Sequence, residues 1–499
     1  MKTVNNTLGK LTFLVLLLVI LLISNGGYTM FFAPWISITM LLYAVRQLSV
    51  IKGFLLACVL LVIATLFQNS EILPFPFLMY ALIMAPYGLI AAIPYLIDSF
   101  FSKNRNTFLH TLIFPTALVL IEYISSQFLP YGSWGHIAYT QQSQNVLLQS
   151  VSVFGMGYIT FLIGWFASII NWILIQELQW VKVKKGILIY SATIGLTLGY
   201  GSYRLLFQKS NAKTIRIASI SAIDNLRIYD NNFYGLNLEG GKEKFKKQAL
   251  DLNQNLIERS IQEAKAGAKI VFWAEGNALV LKEDENKLYE SASLVAKENE
   301  IYLGAAVAVI DPTNDKPLEN KFVLFDPKGK KTIDYWKVIP VPGGEAAMSN
   351  IKGSTIQKLK TPYGIIGSAI CFDMDFPQYL KQAKGTDIML VPSNDWKGID
   401  PIHTNMAKFR ALEQGFNLVR QTSFGLSAGF NYTGETLSEM DHFTANSKVL
   451  ITQLPTKGTT TVYSLIGDIF IYYCLLMFIV VIVKLKKLPI AKRKENELD

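Results

Sequence analysis

Cysteine and histidine are scarce in this chain, with three Cys and four His among 499 residues. Cys58 and Cys474 lie inside long apolar runs, so the polar part of the chain holds Cys371 alone and can form no internal disulfide. His110, His136, His403 and His442 lack metal-ligand spacing, and none is read as a ligand. Charge is thin as well: 17% of residues are charged against 51% hydrophobic. A mean hydropathy of +0.30, with the apolar residues gathered in blocks, excludes an ordinary soluble protein. The composition points to a membrane protein with one large polar insert.

Runs long enough, or nearly so, to cross a bilayer centre on 11–25, 29–45, 53–68, 73–97, 107–128, 151–176, 186–206 and 462–483. The division is an N-terminal transmembrane region of seven spans over 1–213, a polar domain over 214–456, and a last span with a basic tail over 457–499. The first run follows Lys2 and Lys10 like a signal peptide. The sequence "SNGG" after it lacks a small-x-small cleavage pattern, so it reads as an uncleaved anchor.

The loops near 69–72 and 129–150 have no Lys or Arg. Alternate segments hold Lys2, Lys10, Arg46, Lys52, Lys103, Arg105, Lys182, Lys184, Lys185, Lys484, Lys486, Lys487, Lys492, Arg493 and Lys494. That asymmetry places both termini in the cytoplasm and the polar domain outside it. With Asp98, Glu177, Glu495, Glu497 and Asp499, those fifteen basic residues account for the whole net charge of +10. The outer domain is therefore neutral in sum, which excludes a nucleic-acid surface.

A lone thiol in an oxidising compartment is either buried or used. The polar domain reads as alternating strands and helices of an α/β or α+β fold. Strand-like runs fall at 215–220, 269–275, 301–310, 321–327, 364–371, 387–394 and 417–424, and helix-like stretches at about 242–266, 284–299, 376–384 and 403–415. Three polar groups stand where such elements end: Glu275 in "FWAEG", Lys337 in "DYWKVIPVPGGE" and Cys371 in "SAICFD". A Glu or Lys is ordinarily a solvated surface charge. Here both follow directly on apolar, aromatic sequence, at the positions where an α/β scaffold displays its chemistry. A thiolate nucleophile, a carboxylate to take its proton and an ammonium to hold an oxyanion suffice for acyl transfer.

The ordered set "WAEG", "YWKVIPVPGGE", "ICFDMDFP" and "PSNDW" resembles the nitrilase (carbon–nitrogen hydrolase) superfamily. With the multi-span N-terminal half and single C-terminal span, the chain is similar to the membrane branch of that superfamily, the apolipoprotein N-acyltransferases of bacterial inner membranes. The segments 129–163 and 403–428 extend the likeness over nearly the whole chain.

The resemblance implies a bundle of about eight spans carrying an extracytoplasmic nitrilase-like α-β-β-α sandwich. It also implies a ping-pong acyltransferase that moves a phospholipid acyl chain onto a cysteine as a thioester, then onto the α-amine of a diacylglyceryl-cysteine apolipoprotein, as a monomer without cofactor, metal or nucleic acid. Carried over by position, Glu275 is the base, Lys337 the oxyanion stabiliser and Cys371 the nucleophile. Glu345 and Asp373 are accessory carboxylates, Phe372 lines the substrate, and Trp396 either lines it or packs. The alternative is a membrane-tethered amidase or hydrolase, or an acyltransferase to another amine. The chain departs from the family pattern at Ala274, where Pro is usual, at "PGGEAAM" in place of "PFGEYVP", and at "CFD" in place of Cys-Tyr-Glu.

Overall fold

A single apolar segment in hydrocarbon has to satisfy its backbone N–H and C=O groups internally, which leaves the helix. All eight apolar runs are helical in the computed structural model. The described residues are 7–73, 75–102, 107–208, 210–224, 241–353 and 355–487. Lys2, Lys103, Arg105, Lys492, Arg493 and Lys494 of the charge asymmetry lie outside them. The chain divides into two compact units. One comprises Met1–Leu129, Ser133–Phe207 and Ile466–Asp499, and the other Pro130–Gly132 with Gln208–Leu465.

Among the described residues of the first unit, five helices are long and apolar enough to cross a bilayer: Val50–Gln68, Phe77–Ser102, Phe108–Phe128, Gly157–Ile175 and Ile469–Lys486. Thr7–Leu22 and Ala33–Arg46, at 16 and 14 residues, fall short of the ~20 a straight crossing takes. Trp180–Phe207 has the length, but it opens on Lys182, Lys184 and Lys185 and interleaves Ser, Thr, Gly and Tyr. Length and apolarity thus mark five crossings where the sequence pattern counts eight. The run at 151–176 is broken as well, because Gly155 at φ +73 separates a short turn from the helix Gly157–Ile175.

Apolar side chains such as Leu55, Val59, Leu78 and Leu82 face outward, as a lipid solvent requires. The charged pair inside is compensated. Arg46 donates through Nε and Nη2 to the two oxygens of Asp98, each at 2.8 Å, and Ser102 donates to the same carboxylate at 3.0 Å.

Among its described residues the second unit has thirteen strands. They are β1 Thr214–Ile220, β2 Ile270–Trp273, β3 Ala278–Leu281, β4 Tyr302–Ile310, β5 Leu318–Phe325, β6 Lys331–Trp336, β7 Lys358–Thr361, β8 Gly364–Ser368, β9 Ile388–Asn394, β10 Asn417–Ser423, β11 Leu426–Phe430, β12 Thr436–Asp441 and β13 Val449–Pro455. One sheet runs β13-β1-β2-β4-β5-β6 with β3 also paired to β4, and the other runs β12-β11-β10-β9-β8-β7. The centres pair parallel and the edges antiparallel: β1–β2–β4 and β8–β9–β10 are parallel pairs, while β13–β1, β4–β5, β5–β6, β7–β8, β10–β11 and β11–β12 are antiparallel pairs.

The strand period of two decides which layer each residue fills. Ile215, Ile217, Ile270 and Phe272 of the first sheet meet Ile366, Ile388, Leu390 and Val419 of the second in one core between the sheets. The alternate residues Ala218, Ile220, Val271 and Trp273 pack outward against Leu256 and Ile257 of helix Lys242–Lys265 and Ala292 and Val295 of helix Glu285–Glu298. Met389, Val391 and Leu418 pack outward against Ala407 and Ala411 of helix Ile402–Gln414. The result is the helix–sheet–sheet–helix sandwich. Both faces of its central strands are buried, which is why they read as unbroken apolar runs. Cys371 belongs to the core between the two sheets.

Candidate active site

Glu275 leaves β2 through a turn at Gly276, φ +61, and is 5% exposed. Its Oε1 accepts hydrogen bonds from Lys337 Nζ at 2.8 Å and from Asn320 Nδ2 at 2.7 Å. Lys337 follows β6 directly, and its backbone N–H donates to the Asn320 carbonyl at 2.9 Å, so β5 and β6 fix where its side chain starts. Its Nζ also donates to both oxygens of Glu345, at 2.7 and 2.8 Å.

Glu345 is delivered by the loop through Gly343, whose φ of +110 an L side chain rarely adopts. It is fixed there by the Val341 N–H at 2.8 Å and by Asn320 Nδ2 at 3.3 Å. A buried ammonium is costly unless paired. Burial by itself lowers the Lys337 pKa, but the charges of Glu275 and Glu345 outweigh it and hold the ammonium well above its ordinary value. The amine is a fixed cation.

Cys371 stands three residues past β8 and opens a tight turn, Cys371–Asp375, with φ +46 at the cysteine itself. A side-chain-bearing residue in the left-handed region is strained by about 1–3 kcal/mol and persists only where its surroundings hold it. The residue is 3% exposed, and its Sγ is 3.9 Å from the carbonyl of Asn394 at the end of β9. Burial pushes the thiol well above its usual range and the Glu275 carboxylate adds to this, while Lys337 works in the opposite direction. The resting group is a thiol whose proton has to be taken as it reacts, and Glu275 is the nearby carboxylate linked to Lys337.

Asp373 joins the two halves of the site. Oδ2 accepts from the Ile370 N–H at 3.0 Å and from Tyr335 Oη at 2.6 Å, and Oδ1 from the N–H groups of Val338 and Ile339 at 3.2 and 2.9 Å. The cysteine turn is thereby tied to the loop that begins at Lys337. Burial raises this carboxyl to about 6 against the lowering effect of Tyr335 and the backbone donors. Phe372 is 5% exposed and stands edge-on to Phe376 at 5.2 Å. Trp396, half-buried, lies two residues beyond Asn394.

Sequence reasoning missed two groups. Asn320, buried in β5, bridges Glu275 and Glu345, and nothing in a polar residue within "LENKFVLF" signals that. On the other side, Sγ of Cys371, an oxygen of Asp395 and a ring nitrogen of His403 lie within 4.8 Å of one another. These donors do not fit a cation. Both oxygens of Asp395 are occupied by Arg420 at 2.8 Å, both ring nitrogens of His403 face Asp395 and Asp375, and a metal ion would sit beside a guanidinium. The available signal was Asp395 in "PSNDW" with His403 eight residues on.

Residues 243–463 match the carbon–nitrogen hydrolase family model, and residues 14–169 match the apolipoprotein N-acyltransferase N-terminal domain. An apolipoprotein N-acyltransferase 1 of Treponema denticola is 24% identical over 447 residues, 79% of each chain. An apolipoprotein N-acyltransferase of Borreliella burgdorferi is 32% identical over 139 residues, a match that spans 27% of this chain and 26% of that one. An amidase from Nesterenkonia sp. is 17% identical over 50% of this chain and 93% of its own, with a TM-score of 0.40.

Proposed function

From the premise that this chain belongs to the apolipoprotein N-acyltransferase family, a carbon–nitrogen hydrolase domain joined to that family's N-terminal domain, we propose that it transfers an acyl chain from a phospholipid to the N-terminal amine of a diacylglyceryl-cysteine apolipoprotein through a thioester on Cys371. The observation that carries the reading is the Glu275–Lys337–Glu345 cluster, linked at 2.7 to 2.8 Å with Glu275 and Lys337 buried and Glu345 partly so, together with a thiol on a strained turn that feels the charges of both Glu275 and Lys337.

In the first half-reaction Glu275 takes the Sγ proton as sulfur attacks the sn-1 ester carbonyl. The carbonyl π pair moves onto oxygen, where Lys337 meets the developing charge. Collapse breaks the ester C–O bond, and the leaving alkoxide takes the proton back from Glu275 as the lysophospholipid departs. In the second half the α-amine attacks the thioester carbonyl, Glu275 accepts the amine proton and returns it to sulfur, and an amide leaves with the thiol restored. No redox change occurs, and no cofactor or metal enters the balance. Glu345 orients Lys337, and Asp373 holds the cysteine turn against the Lys337 loop.

The domains proposed are the membrane region 1–213, the catalytic domain 214–456 and the C-terminal anchor 457–499. The eight apolar helices act as spans in a bacterial inner membrane, both termini face the cytoplasm, the catalytic domain lies outside and the enzyme acts as a monomer. A cysteine introduced at the exposed Asn314 is expected to react with a membrane-impermeant maleimide once the outer barrier is opened. Labelling only after the inner membrane is broken would reverse the topology.

The activity is tested by expressing the chain in a strain depleted of its own N-acyltransferase and measuring lipoprotein N-termini by mass spectrometry. The expected product is the amide-linked third acyl chain. Free fatty acid with unmodified lipoprotein amines would make the enzyme a hydrolase instead.

A further inference from the structure

The strain at Cys371 has to be held from both ends of its turn, and Asp373 accounts for only one of them. At the other end is Asp375, the last residue of the turn. Its Oδ1 lies 3.0 Å from His403 Nε2, in the first turn of helix Ile402–Gln414. His403 Nδ1 lies 2.8 Å from Asp395 Oδ1, just past the end of β9. Arg420 of β10 grips that carboxylate with Nη1 to Oδ2 and Nη2 to Oδ1, both at 2.8 Å.

The four side chains are 0% to 3% exposed. Burying one such charge alone would be prohibitive, but two carboxylates, a guanidinium and an imidazolium cancel. Burial and Arg420, whose Nη2 lies 2.8 Å from Nδ1, work against the charge on His403, yet Asp375 and Asp395 outweigh them and hold the ring up at about 9. Thr404 also donates to Leu426 and accepts from Arg420, which ties the start of the same helix to the second sheet.

We propose that His403 is a positioning residue for the nucleophile: through Asp375 it holds the far end of the Cys371 turn, and through Asp395 and Arg420 it is anchored to two neighbouring strands. The chain Arg420–Asp395–His403–Asp375 then braces the turn beside Sγ, which lies within 4.8 Å of an Asp395 oxygen and a His403 ring nitrogen. This rests on Cys371 being the nucleophile.

Two amide replacements separate the links. The Gln side-chain nitrogen superposes on Nε2 and keeps the Asp375 link, whereas the Asn nitrogen superposes on Nδ1 and keeps only the Asp395 link. His403→Asn is expected to lose about tenfold or more in kcat, with KM for phospholipid within about twofold of wild type, the pattern of a misplaced reacting group rather than lost binding. Alkylation of Cys371 by iodoacetamide should slow with it, and His403→Gln should recover most of both rates.

Rates are taken per monodisperse folded enzyme in detergent, so loss of folded protein does not enter them. Asp375→Leu, which removes the acceptor for His403 Nε2 at similar size, should fall with His403→Asn and serves if the His403 variants do not fold. If His403→Asn matches or exceeds His403→Gln, or if all three variants turn over and alkylate like wild type, His403 does not position the nucleophile. Wild-type enzyme that forms no acyl adduct on Cys371 would overturn the thioester reading itself, a result distinct from either.

Discussion

Cys371→Ser is expected to lose at least ~10³-fold in acyl transfer, the scale on which enzymes lose activity when the nucleophile is replaced. A cysteine thiol ionises near 8.5 in water and here is pushed well above that by burial and by Glu275. A serine hydroxyl begins far higher and meets the same buried environment, so the base has a much harder proton to take. The shorter C–O bond also draws the attacking atom back from a carbonyl placed for sulfur. The exchange is nearly isosteric at a site 3% exposed, so the variant should fold, and turnover of purified enzyme in detergent with phospholipid and a diacylglyceryl peptide reads the loss. A serine enzyme retaining a tenth of wild-type turnover would remove Cys371 from the chemistry.

Charge removal at Glu275 and Lys337 should cost ~10²-fold or more each, the range for a single general base or oxyanion donor. Glu275→Gln keeps the shape, and the amide oxygen can still accept from Lys337 and Asn320, now at 2.8 and 2.7 Å from the carboxylate, so lost turnover reports lost basicity. Lys337→Met is harsher, because it leaves Glu275 buried without its cation, and breaking a buried pair from one side costs about 3–5 kcal/mol.

The sign of the pH effect follows. The Lys337 pKa is raised in the folded protein, so its contribution is complete below the ordinary lysine pKa of about 10 and is lost only as pH climbs through the raised value. Wild-type turnover is therefore expected to show no loss from Lys337 deprotonation below pH about 10, and a loss below that pH traced to Lys337 would contradict the oxyanion role. Near-normal turnover in either variant would remove that residue from the mechanism.

The parts of this site that the sequence exposes are those where a buried strand ends abruptly in a charged or nucleophilic residue: "IVFWAE" at β2, "IDYWK" at β6, and "GIIGSAIC" at β8. Central parallel strands announce themselves because both faces are buried. The edges do not. β7, β12 and β13 mix Lys, Ser, Thr, Glu and Gln with apolar residues, β3 and β7 are four residues long, and β11 passes through Gly429. Each is held by pairing with a neighbour rather than by a strong pattern of its own.

Asn320, His403 and Arg420 were illegible for a related reason. A polar residue on a buried strand or helix face looks the same in sequence whether it meets water or a partner far along the chain, as Asn320 meets Glu275 45 residues away. The membrane unit was read by run length. That found the long apolar helices but not the short ones at Gly26–Tyr28, Ile137–Gln141 and Asn145–Leu148, which carry no long apolar run.

The most direct measurement of the central claim is the intact mass of purified enzyme incubated with a defined phospholipid and no amine acceptor. A ping-pong route lets the first half-reaction run alone. The account predicts a gain of one acyl chain, mapped by peptide sequencing to Cys371, released by neutral hydroxylamine as a thioester is, and discharged onto a diacylglyceryl peptide as an amide. Transfer to the peptide with no adduct ever forming on Cys371 would contradict it.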